Sequence, residues 1–200
     1  MHPDRKKTTS EFLGKIEETC DRGGVVIVPA FAVGRSQEML MMLDSVDYPV
    51  YLDGMAKAAV KVFLSYPEYL RDPDLLQKAA NNAIWVSDSR LRKEIIEEPC
   101  VIVTTAGMLT GGPVVDYISK IKGDTKSSIL LVGYQVEDTN GRRLMDEGYI
   151  LDELSNRKIS VKSEVQYFDF SANSDKESLV KMAHEVSPEK IILVHGQEKG

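Results

Sequence analysis

The chain has 200 residues, 42% hydrophobic and 28% charged, enough apolar content for a substantial core in one large domain or one domain plus part of another. Its formal charge of −6 excludes bulk electrostatic attraction to nucleic acid, so any such contact must come from a local patch. Cys20 and Cys100 form no Cys-x-x-Cys unit and read as buried thiols of a reducing compartment. No apolar run reaches membrane-spanning length, and the first ten residues carry no apolar targeting core. A cytoplasmic protein without membrane contact is therefore expected.

Phe12, Leu13, Ile16 and Cys20 recur at helical spacing behind Thr8, Thr9 and Ser10, predicting a helix over residues 9–22 that ends at Gly23 and Gly24. Residues 25–28, VVIV, predict a strand buried on both faces, stopped by Pro29. The exit loop PAFAVG leads into a helix starting at Arg35. The rhythm repeats: strands at 50–52, 84–86, 100–103 and 129–132 alternate with helices at 55–64, through Leu75, Leu76 and Ala79, around 90–97, and at 113–121. Short apolar strands separated by helices predict parallel pairing, hence an α/β fold with a doubly wound, mainly parallel sheet and helices on both faces.

After Gly148 the pattern changes. Ile159, Val161, Val165 and Tyr167 share one parity, which predicts an antiparallel or edge strand and a domain change near Ile159. Residues 175–186 predict a helix, and residues 191–194 a final strand delivering His195 and Gly196 to its carboxyl end.

Ligands of open α/β sheets bind outside the carboxyl ends of the strands, which singles out four loops: 29–35, 53–54, 104–113 and 133–143. Gly107, Gly111 and Gly112 precede Pro113 at a helix start, where free amides can cradle a phosphate, although a tight turn needing positive φ explains the same glycines. Thr139, Gly141, Arg142 and Arg143 form a compact donor group suited to phosphate oxygens, yet arginines on a helix are usually just solvated. Gly34 and Arg35 have the same two readings. Phe31 could stack on a base or simply pack. Asp53 reads more readily as a helix cap than as an acid. His195 alone makes no zinc site, since zinc needs three or four ligands and the other histidines are only His2 and His184.

The ordered segments VVIVPAFAVGRSQEML, VYLDGMA, VIVTTAGMLTGGPV, ILLVGYQVEDTNGRRL, FDFSANSD and IILVHG resemble the β-CASP family of metallo-β-lactamase ribonucleases, nearest to archaeal and bacterial relatives of the cleavage and polyadenylation specificity factor endonuclease subunit. The resemblance covers essentially the whole chain. It implies that residues 1–158 are a β-CASP domain and residues 159–200 the segment re-entering a metallo-β-lactamase domain. The His-x-His-x-Asp-His motif that such proteins carry in an upstream half does not occur in these 200 residues.

By that resemblance His195 is the last metal-ligating histidine and belongs with Asn173 to the catalytic set. Asn173 stands where the family usually has a histidine near the scissile phosphate. An amide there can hydrogen-bond but cannot serve as a general acid near neutral pH. Gly34, Arg35, Gly107, Gly111, Gly112, Thr139, Gly141 and Arg142 would border the RNA backbone. The implied activity is two-zinc hydrolysis of RNA in 3′-end processing or decay, with both ions in the complete protein and none expected in these residues alone. The alternative is a catalytically inactive homologue acting as an RNA-binding or scaffolding subunit. RNA is the expected partner, with a second copy or a related β-CASP subunit as the protein partner.

Overall fold

The protein is described by a computed structural model over residues 3–152, 157–171 and 173–194. Its first helix, α1 (Arg5–Asp21), starts earlier than the threonines suggest, because the Asp4 carboxylate accepts from Lys7 N at 2.8 Å and caps it. Thr8 and Thr9 instead donate their hydroxyls one turn back, to the carbonyls of Asp4 and Arg5.

Among the described residues six strands form one sheet: β1 (Val25–Pro29), β2 (Val50–Leu52), β3 (Ile84–Trp85), β4 (Cys100–Thr104), β5 (Ser128–Leu131) and β8 (Glu164–Tyr167). Their order is β3-β2-β4-β1-β5-β8, and every neighbouring pair is parallel. The α/β doubly wound sheet expected from the strand–helix alternation is present. Helices α2 (Arg35–Leu43), α3 (Ala56–Leu64), α4 (Pro73–Asn82), α5 (Leu91–Glu94), α6 (Pro113–Ile121) and α7 (Asn140–Glu147) connect the strands.

The period of two along each strand divides the core. Val26, Val28, Val101, Val103 and Leu130 face α1 to α4, meeting Phe12, Ile16, Met39, Leu40, Val60 and Ala79. Val25, Ile27, Cys100, Ile102, Ile129 and Leu131 face the other way, onto Ile95, Val114, Tyr117, Ile118 and Leu144. Both faces are covered, which is why these strands read as unbroken β-branched runs rather than alternating ones.

Two segments differ from expectation. Helix α5 spans four residues rather than eight, because Ile95 turns into the second core and Pro99 disfavours helical backbone at Glu98. Residues 191–194 form no strand, and Ile191, Ile192, Leu193 and Val194 are all exposed. A strand needs a neighbour's hydrogen bonds and a covered face, and no described strand lies alongside this one. The preceding helix, α8 (Lys176–Val186), likewise buries no residue among those described. His195 and Gly196 lie outside the described residues.

Beyond Gly148 an antiparallel pair forms, β6 (Tyr149–Asp152) with β7 (Arg157–Ser160), and then β8 adds to the sheet edge beside β5. The division drawn near Ile159 falls within the β6–β7 pair, and the main sheet continues past it to Tyr167. After β8, Phe168 and Phe170, stacked on each other at 6.4 Å, both meet the Phe12 ring edge-to-face at 5.3 Å. Arg5 lies 4.5 Å over the Phe170 ring and donates to its carbonyl at 3.0 Å. Helix α1 thus fastens the segment that leads to Asn173. Phe12→Ala is expected to cost about 3–5 kcal/mol and lower Tm by roughly 10 °C in thermal unfolding. A change below 1 kcal/mol would show that this aromatic trio does not anchor the segment.

Candidate functional site

The strand order fixes where a ligand site can form. β1 and β4 are neighbours, but the helix after β1, α2, packs on one face and the helix after β4, α6, on the other. Two chains diverging to opposite faces leave a crevice at their carboxyl ends. Ala30 N donates to Thr104 O at 2.9 Å and closes its floor. Gly107 then crosses so tightly that a Cβ there would lie 3.0 Å from Phe31 N. Gly54 is more tightly constrained, with Thr105 Oγ1 2.2 Å from where a Cβ would sit, while Met55 N donates to that hydroxyl.

A cleft of about 590 Å³ follows, lined among others by Phe31, Asp53, Lys57, Arg92, Gly107 and Gly112. Gly111 borders it as well, at φ +134. The helix-start amides expected to be free at its edge are engaged: Val114 N donates to Thr105 O and Val115 N to Gly112 O. Pro113 has no amide hydrogen, so the loop has absorbed its own first-turn donors.

Asp53 does not cap α3, whose N-cap is Met55. Its side chain is fully buried at the end of β2 and accepts from Arg92 Nε at 2.6 Å, Tyr117 Oη at 3.0 Å and Gly54 N at 2.6 Å, with Lys57 Nζ at 3.3 Å. Burial alone would raise its pKa, but the bonds from Arg92, Gly54 and Tyr117 outweigh it and hold the carboxyl below its ordinary range. The same burial, with the Asp53 charge beside it, pushes the Tyr117 phenol upward. Tyr117 therefore stays protonated and acts as a donor. Nothing local in the sequence signals this hub, since Arg92 and Tyr117 are 39 and 64 residues away.

A second cleft, about 350 Å³, adjoins the first and shares Phe31 with it. It is lined by Arg35, Val132, Gly133, Tyr134, Tyr167, Asp169, Ser171 and Asn173. Asn173 is exposed, and its backbone N–H donates to Ser171 Oγ at 3.3 Å. Arg35 pairs with Glu38, which also holds Arg5. Burial, then the nearby Arg5 charge, lowers the Arg35 pKa from its ordinary value, and the guanidinium remains charged. Gly34, at φ +82, opens α2 by donating its amide to Gln37 Oε1.

The residues around 139–142 are mainly structural. Thr139 caps α7 by accepting from Arg142 N, and Asn140 ties Leu109 to Leu151 through three hydrogen bonds. Gly141 leaves room for Gln135, whose Oε1 lies 1.6 Å from where a Cβ would stand. Gln135 Nε2 in turn donates to the carbonyls of Gly107 and Gly133, tying two edge loops together. Arg142 pairs with Asp146 in a separate hollow bordered by Glu137 and Asp138. The edge therefore brings together Arg35, Gly107, Gly111, Gly112 and Asn173 in two adjoining clefts, while Arg142 points elsewhere. Gln135 and Asn140 were not picked out by sequence. The flanking Gly133 and Gly141 were the available signal, because close approach needs glycine.

A zinc centre does not fit the described residues. Among them no group of three or more His, Cys, Asp or Glu converges. The Cys20 and Cys100 thiols are pushed up to about 11 and about 12 by burial, which keeps them protonated and poor ligands. Asp53 is committed to its own cations.

A family profile described as Beta-Casp domain matches residues 36–144, and one described as Zn-dependent metallo-hydrolase RNA specificity domain matches residues 158–200. The chain is 39% identical to "Probable RNase MJ4" of Methanocaldococcus jannaschii, covering 99% of this chain and 47% of that protein. It is 40% identical to "RNase aCSPSF2" of Saccharolobus solfataricus over 98% of this chain and 39% of the relative. It is 38% identical to "Transcription termination factor FttA" of M. jannaschii, over 98% and 34% respectively. The doubly wound sheet and its glycine-lined carboxyl edge are those of a Beta-Casp domain. The chain belongs to the Beta-Casp family, and it spans between about a third and about half the length of these curated relatives.

Because folding lowers the Asp53 pKa, the stability it contributes is present above about pH 4 and is lost as pH falls through the lower folded value. Asp53→Asn, which leaves Arg92 and Lys57 without their carboxylate, is expected to destabilise by about 3 kcal/mol at pH 7. The gap to wild type should narrow below pH 4 in denaturant titrations, and a pH-independent gap would contradict the ionic role.

Proposed function

We propose that this chain is the RNA-binding β-CASP portion of a zinc-dependent ribonuclease of RNA 3′-end processing or decay, working in the cytoplasm. By this reading residues 1–158 are the β-CASP unit and residues 159–200 lead back toward a hydrolase lobe, with β8 of that second segment completing the sheet edge on the way. The carrying observation is the convergence of loops from β1, β4, β5 and β8 on one sheet edge, in two clefts that meet at Phe31. The names of the relatives and the two family matches support the same reading.

Electrostatics shapes how RNA would be held. Arg35, Lys57, Arg92 and Arg142 each have a carboxylate partner. Phosphates would be met by backbone amides, hydroxyls and guanidiniums that exchange partners, rather than by a bare basic field. That suits a chain of net charge −6.

Asn173, exposed at the second cleft, would touch the RNA near the bond that breaks, orienting it by hydrogen bonds without transferring a proton. His195 would supply one metal ligand, with the others outside the described residues, and zinc would supply Lewis-acid chemistry at the phosphate. Apart from that ligand, this chain's own residues would bind and orient the RNA.

The protein at its full natural length is expected to hydrolyse single-stranded RNA, to lose that activity on His195→Ala, and to gain rate on Asn173→His when turnover is followed on a labelled oligoribonucleotide. Unchanged turnover in His195→Ala would contradict the proposed metal role. An unchanged rate in Asn173→His would remove the proton-donor reading of that position.

A further inference from the structure

Phe31 settles into neither of its two simple readings. Its ring lies across two stretches of bare backbone: a Cβ at Gly107 would stand 3.4 Å from Phe31 Cγ, and one at Gly133 3.2 Å from Cε2. A side chain at either position would crowd the ring. Yet the residue stays 42% exposed and lines both clefts. It is a platform fixed from below and open above.

Two further aromatics line the same small cleft, Tyr134 at 65% exposure from the loop after β5 and Tyr167 at 38% from the end of β8. Aromatic rings left this exposed around a cleft lose the stabilisation of burial, and flat apolar ligands restore it by stacking. At about 350 Å³ the cleft is near the small end of ligand sites, room for one planar group rather than for a helix or strand of another protein. Its rim carries Ser171 and Asn173, whose hydroxyl and amide offer both donors and acceptors to the edge of such a group.

We propose that this cleft is a nucleobase pocket: Phe31, Tyr134 and Tyr167 stack one base splayed out of a single-stranded RNA, while Ser171 and Asn173 face its edge. The inference rests on the RNA-binding reading above and deepens it, adding recognition of a base beside the phosphate that Asn173 would border. Stacking of this kind tolerates all four bases but requires an unpaired one. The pocket therefore selects single strands over duplexes without a large positive charge.

The test uses the protein at its full natural length and an oligoribonucleotide carrying 2-aminopurine, with fluorescence read by stopped flow in the binding phase before turnover. Wild type is expected to quench the probe on binding. Tyr134→Phe should retain the quench, whereas Tyr134→Ala should lose it and bind about tenfold more weakly. Tyr134 is exposed, so its truncation leaves the core intact, and Phe31→Leu should act in the same direction. An RNA with an abasic site at the probed position should bind wild type as weakly as intact RNA binds Tyr134→Ala. Tight RNA binding with equal quenching in wild type and Tyr134→Ala would overturn the pocket and leave the RNA-binding reading standing. Absence of any RNA binding by wild type would overturn that reading, and the pocket with it.

Discussion

Five consecutive residue pairs, from Val25 with Cys100 to Pro29 with Thr104, lock β1 against β4 in the middle of the sheet. The remaining architecture follows from how the chain leaves that pairing. After Pro29 it must cross to the face covered by α1 to α4, and after Thr104 to the opposite face. The loop leaving β4 bends over the end of β1, where Gly107 lies against Ala30 and Phe31, and the crevice opens beside that crossing. A slip of one residue in this register would reverse every inward-facing side chain of β1.

The loops are held by close backbone approach more than by side-chain packing. Gly107 lies against Ala30 and Phe31, Gly54 against Thr105, and Gly112 comes within 3.0 Å of Thr105 O at the position a Cβ would take. Gln135 then bridges the loops after β4 and β5. Such an edge has little room to adjust when a ligand arrives, which lowers the ordering cost of binding. Its polar groups are also largely spoken for. The Asp53 hub neutralises Arg92 and Lys57 from beneath, and Glu38 neutralises Arg35, so affinity for a polyanion depends on geometry and exchange of partners rather than on excess charge.

The central strands and their helices were legible because each is short, apolar and bounded by Gly, Pro or a cap, as in VVIVP and CVIVT. The four edge loops were legible from the rule that ligands gather at strand carboxyl ends. What escaped was long-range. Asp53 meets residues far along the chain, and Asn140 looks like an ordinary helix-start residue until Leu109 and Leu151 are seen around it. β8 showed its period of two but not its partner, since parallel pairing with β5 leaves no local mark. Residues 191–194 showed the composition of a buried strand, and composition cannot supply a neighbour. In the site, Arg142 had the right chemistry in the right loop, yet Asp146 one turn later draws it away from the clefts.

The central claim, that RNA lies on the carboxyl edge of the parallel sheet, is tested most directly by hydrogen–deuterium exchange of the full-length protein with and without single-stranded RNA. Protection is expected in residues 30–36, 104–113 and 133–136, the loops that leave β1, β4 and β5. Protection confined to the amino edge, residues 22–24, 97–99 and 122–127, or to the outer surfaces of α3 and α4, would contradict it.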